Sequence, residues 1–313
     1  MWTIRNILYA STGMGDETEG LKQALSLARS NQAPVRVVVV YPELPKNLET
    51  YQEAFEGFLA SQAETTLQTA RAALDFGESE VPVKVDVERS DGPPAIDLIR
   101  HVLRDGHDLL IKEAEPREGG KGFGSTDMTL VRKCPCPVWL ARPITRSPRD
   151  IRVGVAISPE SRDEEEAELA MRLLQVARSL ADIGSGELDI ISCSDYQFEE
   201  YLRRNTRVTV PEETILSAMQ RVQTQHQASL GGLIRDSAIG GSYHLRYLRG
   251  PAGQAIPNFV EANAVNLLVM GTLARSGILG FFIGNTAENI MEKLGCSLLA
   301  LKPKGFASPV KAY

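Results

Sequence analysis

One pattern of residues occurs twice in this chain, half a chain length apart. Gly124-Ser125-Thr126 leads through a helical stretch into Lys133-Cys134-Pro135-Cys136-Pro137-Val138-Trp139-Leu140-Ala141-Arg142-Pro143. Gly284-Asn285-Thr286 leads through a stretch of the same length into Lys293-Leu294-Gly295-Cys296-Ser297-Leu298-Leu299-Ala300-Leu301-Lys302-Pro303. Gly124 and Gly284, Cys136 and Cys296, and Pro143 and Pro303 are each 160 residues apart. Upstream, Gly92-Pro93 answers Gly250-Pro251, and Asp108-Leu109-Leu110-Ile111 answers Asn266-Leu267-Leu268-Val269, both at an offset of 158. A solenoid repeat runs roughly 20–50 residues, so this period predicts two domains, residues 1–145 and 146–313, each burying its own core. A unit of about 150 residues can do so, since it removes roughly 68–70% of its unfolded surface from water.

Within each copy, apolar runs alternate with helical periodicity. Ile4 to Ala10 reads as a strand stopped by Ser11-Thr12-Gly13, and Leu21, Ala24, Leu25 and Ala28 recur at the spacing of one helical face. Val35 to Val40 is a β-branched run suited to a strand covered on both sides. A long helix through Tyr51 to Leu74, a strand at Val81 to Val87, a helix at Pro93 to Leu103, a strand at Asp108 to Ile111, a helix at Thr126 to Arg132 and a strand at Val138 to Ala141 complete the first copy. The second repeats this order from Ile151 to Leu301, after a polar join at Arg142 to Arg149. Alternation of this kind predicts an α/β fold: two domains, each a five-stranded, mostly parallel sheet with helices on both faces. Ligands of such sheets sit beyond the carboxyl ends of the strands, where strand order reverses.

Composition narrows the function classes. A chain of 313 residues with 43% hydrophobic and 24% charged residues is ordinary globular material. A net charge of -6 gives no basic surface for nucleic acid, so no nucleic-acid partner is expected. The residues from Met1 to Asn6 lack a signal-peptide core, and the longest apolar stretch, Ile278 to Ile283, is far short of the ~20 residues of a membrane helix. A cytoplasmic location without membrane insertion is the expectation. The 4 cysteines, Cys134, Cys136, Cys193 and Cys296, form neither a disulfide framework nor a zinc-ligand set.

The chemistry concentrates after the fourth strand of the second copy. Leu267-Leu268-Val269-Met270 runs into Gly271-Thr272-Leu273-Ala274-Arg275, and after an apolar segment Gly284-Asn285-Thr286 opens a helix. A glycine after the strand lets backbone amides approach a ligand, and a glycine before a helix leaves free N–H groups that favour anions. Neither a Walker loop nor a first-strand dinucleotide fingerprint is present.

The two-copy layout and this loop resemble the tandem universal stress proteins, whose domains have an adenine-nucleotide-binding, Rossmann-like fold. The family motif is glycine, two residues, glycine, nine residues, then glycine with Ser or Thr. Gly271, Ala274 and Gly284-Asn285 match that spacing, with Ala at the second glycine and Asn in place of Ser or Thr. The resemblance covers nearly the whole chain. It implies a role in stress resistance, binding rather than conversion of a ligand, and contact between the two final strands, Val138 to Ala141 and Leu298 to Leu301, across a pseudo-twofold axis. One chain would then imitate the family's homodimer, with a further homodimer left open. It also implies ATP or another adenine nucleotide as the candidate ligand of the second domain, held by Ser158, Gly271, Thr272, Ala274, Arg275, Gly284, Asn285 and Thr286. No cofactor, metal or catalytic residue is required.

Departures from the family pattern divide the two halves. Where nucleotide-binding members place an acidic residue after the first strand, this chain has Ser11 and Ser158. In the first copy Glu113 replaces the strand-end glycine and the loop is two residues shorter, so the expectation is a first domain that has lost its phosphate site to a carboxylate.

Plainer readings stand beside these. Gly284 to Thr286 can simply start a helix, with Asn285 or Thr286 as N-cap, a role worth about 0.5–2 kcal/mol. The run Ile278 to Ile283 can plug a neighbouring helix, or line an apolar or lipid-like ligand groove or partner surface. Cys134-Pro135-Cys136 reads first as small core residues, with a redox or metal role as the sharper alternative. His226 shares a stripe with Met219 and Val222 and is expected to be partly buried, and no histidine stands in a triad pattern. Asp163-Glu164-Glu165-Glu166 is an acidic helix start. Three functional classes therefore remain: a ligand-binding stress protein, a pure interaction module, and a weak ATPase.

Overall fold

A computed structural model describes residues 2–115, 117–146, 150–160, 164–184, 186–194, 199, 201, 210–272 and 283–313. The first half runs β1 (Ile7–Ser11), α1 (Thr18–Asn31), β2 (Val35–Pro42), α2 (Gln52–Leu74), β3 (Val83–Ser90), α3 (Pro94–Asp105), β4 (Leu109–Glu113), α4 (Ser125–Lys133) and β5 (Val138–Ala141). The second runs β6 (Val153–Ala156), α5 (Glu164–Ile183), β7 (Leu188–Ser194), α6 (Glu212–Ser237), β8 (Tyr243–Arg249), α7 (Ala252–Ala262), β9 (Leu267–Gly271), α8 (Asn285–Met291) and β10 (Ser297–Leu301).

All ten strands lie in one sheet, ordered β3-β2-β1-β4-β5-β10-β9-β6-β7-β8. Each half is parallel throughout, and the halves meet where β5 and β10 pair antiparallel, Leu140 opposite Leu298 and Val138 opposite Ala300. The strand order reverses between β1 and β4 in one half and between β6 and β9 in the other, which places the candidate loops at the carboxyl ends of those strands.

Residues of α1, α2, α5 and α6 cover one face of the sheet, and those of α3, α4, α7 and α8 the other. The separate core expected for each copy is not what forms. Each face carries one apolar cluster that crosses the seam: Ile7, Trp139, Leu299 and Val153 belong to one, and Leu8, Leu140, Leu298 and Met270 to the other. The reason is the β5/β10 pairing, which aligns the alternating side chains of both halves into continuous layers. More links reinforce the seam: Gly122 donates its amide to the Leu294 carbonyl (2.9 Å), and Arg132 on α4 meets Glu288 on α8 (2.8 Å). Among the described residues no helix is long and apolar enough to cross a membrane.

Candidate functional site

At the end of β1 the first domain supplies its own carboxylate. Ser11 Oγ donates to the Glu17 carboxylate, and Thr12 donates to Glu17 Oε1 through both its amide and its hydroxyl, each at 3.0 Å. Glu17 is buried at the start of α1, so the acidic group missing from position 11 arrives from six residues downstream. The buried Tyr9 hydroxyl donates to the Glu17 carbonyl (3.2 Å), and burial with the flanking Glu17 and Glu113 charges pushes its pKa well up.

Glu113, expected to block a phosphate, turns instead toward α1. Its carboxylate accepts the Gly20 amide (2.9 Å), and burial raises its pKa in spite of that bond. The second domain solves the same junction in reverse. A Cβ on Gly271 would stand 3.0 Å from Leu169 Cδ2 of α5, so strand-end glycine and helix leucine there replace strand-end glutamate and helix glycine. Gly271 thus accommodates a helix side chain.

The carboxylate that lies over the helix-opening glycine of domain 1 is that of Glu115. Its Oε2 is 1.5 Å from where a Cβ on Gly124 would be, so only glycine admits it there. Beneath it, fully buried Asp127 accepts from Lys112 Nζ (2.9 Å) and from the amides of Glu115 (2.8 Å) and Gly124 (3.1 Å), stapling the loop to α4. Glu113 is therefore not the carboxylate at this helix start; the short loop folds Glu115 back across it instead.

In domain 2, Gly284 is the N-cap of α8, with extended backbone (φ -61°, ψ 143°) and no side-chain cap bond. The capping role weighed for Asn285 or Thr286 therefore belongs to Gly284, and both residues are exposed in the first turn. Thr272 is buried, and its amide donates to the Leu301 carbonyl (2.8 Å), as Ala114 does to Ala141 in domain 1. Ser158 is exposed, 3.5 Å from Glu160 Oε2. Ala274, Arg275 and the apolar residues 278–282 lie outside the described residues.

The family model for the universal stress protein family matches residues 3–142 and again residues 153–302. The chain belongs to the universal stress protein family. It is 26% identical over 318 residues to universal stress protein E of Photorhabdus laumondii, covering 100% of this chain and 99% of that protein. It is also 26% identical over 260 residues to universal stress protein E of Escherichia coli, covering 82% and 78%. A functionally unknown protein from Pseudomonas aeruginosa has a similar structure, with a TM-score of 0.71 at 22% identity over 97% of this chain and 94% of that one.

This universal stress protein also contains a polar relay, buried at Ser192 and His226 and exposed at Glu160, that sequence reasoning missed. Ser192 Oγ on β7 lies 2.9 Å from His226 Nε2 on α6, and His226 Nδ1 lies 2.6 Å from Glu160 Oε1 in the loop after β6. The order of groups is that of a hydrolase triad. Ser192, however, is 1% exposed, so in this conformation the relay ties the β6 loop to α6 rather than offering a nucleophile. The same place in domain 1 is apolar, where Val39 and Leu59 pack beside Gly13.

A cavity of about 230 Å³ opens at the seam between the halves of the universal stress protein. Leu27 of α1, Leu74, Trp139 of β5, Ile151, Leu180 and Ile183 of α5 and Leu267 line it, with Lys22, Gln23 and Arg146 also in its wall. Trp139 is held there by the bond from its Nε1 to Gln23 Oε1 (3.1 Å).

Proposed function

We propose that this tandem universal stress protein binds a ligand without converting it, in support of stress resistance, and that domain 2 takes the ligand. The first candidate is a phosphorylated small molecule of the adenine-nucleotide class, held by Ser158, Gly271, Thr272, Ala274, Arg275, Gly284, Asn285 and Thr286. One contrast carries this reading. Domain 1 lays the Glu115 carboxylate over Gly124 at the start of α4, whereas α8 starts at Gly284 and the residue 158 positions after Glu115 is Leu273, which carries no carboxylate. A helix start with free amides favours an anion. Domains 1–145 and 146–313 would then divide the work between a scaffold and a receptor.

Calorimetric titration of the full chain with ATP, beside Gly284→Trp, tests it. Binding to the native chain that is lost on Gly284→Trp is the expected result. Phosphate release that disappears with the same substitution would replace the binding reading by a hydrolase.

A second reading, an apolar small molecule, draws on the seam cavity, whose lining is mainly hydrophobic and whose volume suits a short chain or ring. Native mass spectrometry before and after organic extraction separates bound nucleotide, bound apolar molecule and an empty protein that acts only through partners.

A further inference from the structure

The pair Cys134 and Cys136 has a neighbour that its sequence surroundings do not reveal. The two thiols sit between α4 and β5 with their sulfurs 3.5 Å apart, already in contact and both buried. Beside them lies Lys302, which arrives from the far end of the chain just after β10. Its ammonium donates to the Val131 carbonyl and stands 4.9 Å from the Phe306 ring. Among the described residues Lys302 has no carboxylate partner. A buried ammonium favours a neighbouring anion, and Cys134 and Cys136 are the groups whose charge would act on it. Burial alone would push both thiols up, yet the Cys136 hydrogen bond and the Lys302 charge bring Cys134 below its ordinary pKa, while Cys136 stays well above its own. Burial in turn lowers Lys302 to about 8.

We infer that Cys134 and Cys136 form a peroxide-oxidisable dithiol, with Cys134 as the attacking thiolate, Cys136 as the resolving thiol and Lys302 as the resident counter-ion and proton donor. In the first step the Cys134 sulfur attacks one peroxide oxygen, the S–O bond forms and the O–O bond breaks. The departing hydroxide takes a proton from Lys302 and leaves as water. In the second step the Cys136 sulfur attacks the sulfenic acid and the S–S bond forms. The hydroxyl departs with the Cys136 proton as a second water. Two electrons pass from the two thiols to one hydroperoxide. The sulfurs must close from 3.5 Å to about 2.05 Å. Cys134 is 0% exposed and Cys136 8% exposed, so an oxidant reaches the pair past Cys136 as the corner between α4 and β5 opens, a route that favours a small hydroperoxide over a bulky disulfide such as oxidised glutathione.

The experiment treats the reduced full chain with hydrogen peroxide, or separately with oxidised glutathione, and maps unreduced tryptic peptides by mass. The expected product is a peptide spanning residues 134 to 146, since the Arg142–Pro143 bond resists trypsin, that has lost two hydrogens, formed with peroxide and not with oxidised glutathione. Cys136→Ser should stop at a sulfenic acid on Cys134 that dimedone traps. Lys302→Met should slow the reaction about tenfold, with Lys302→Arg retaining most of the rate. Four intact thiols after peroxide, oxidation confined to the half-buried Cys193, or an unchanged rate in a folded Lys302→Met protein would each overturn the assignment.

Discussion

The amide of Gly20 donates to the carboxylate of Glu113 at 2.9 Å, joining the first turn of α1 to the end of β4. A methyl group has no room between them: a Cβ on Gly20 would lie 2.8 Å from Tyr9 Oη and 2.9 Å from Glu113 Oε2. Gly20→Ala should therefore destabilise the chain by about 1–3 kcal/mol. Adding Glu113→Gly reproduces the reversed arrangement of Leu169 and Gly271 and should recover part of the loss. Urea unfolding of the two single variants and the double reads the coupling, and strictly additive losses would mean that the two residues are not matched.

Lys112 and Asp127 form a buried ion pair at 2.9 Å that also holds the Glu115 loop. Removing one partner strands a charge, so Asp127→Ala is expected to cost about 3–5 kcal/mol, with Lys112→Met in the same background returning part of it. Denaturation midpoints provide the check. A surface-like loss below about 1 kcal/mol would show that water reaches the pair.

His107 is 5% exposed, and neither ring nitrogen has a hydrogen-bond partner among the described residues. Burial holds its pKa down from 6.5 to about 4. Between those values the unfolded chain binds a proton that the folded protein refuses, so stability is complete above about pH 6.5 and declines as the pH falls toward 4. The position 158 residues later is the buried Val265. His107→Val should flatten this part of the profile, visible as a smaller drop in melting temperature between pH 7 and pH 4.5. Identical slopes for both proteins would remove His107 from the account.

The relay of Ser192 and His226 admits a test by exchange with domain 1. His226→Leu alone leaves a buried hydroxyl without its partner and should cost about 1–3 kcal/mol. The double variant Ser192→Val, His226→Leu installs the side chains of Val39 and Leu59 and should fall close to the native stability. A double variant worse than the single one would show that the polar relay is needed for packing.

Much of this architecture could be read directly from the chain. The 160-residue echo predicted two copies, and the β-branched run at Val35 to Val40 lies where a doubly covered strand belongs, in β2. The same echo, through the family resemblance, placed Val138 to Ala141 against Leu298 to Leu301, and those strands pair. The loops were harder, because their contacts obey no period. Glu115 reaches Gly124 through a local fold of the chain, and Gly271 is a glycine on account of a leucine on a helix about a hundred residues earlier. His226 was legible as a buried residue, whereas its partners come from 34 and 66 residues away. Lys302 was seen only as the end of a repeated phrase, and its closeness to Cys134 depends on β10 lying beside β5.

The antiparallel joint of β5 and β10 makes the duplication difficult to undo. Each half alone would present a bare row of backbone donors and acceptors along its inner margin, flanked by the apolar layers that now run straight through. Proteolysis at the connecting segment should accordingly leave a nicked complex that elutes at its original size, whereas either fragment made by itself should seek a second copy or precipitate. A gene encoding the fused pair thus secures by covalent linkage what a single-copy ancestor would have had to secure by concentration.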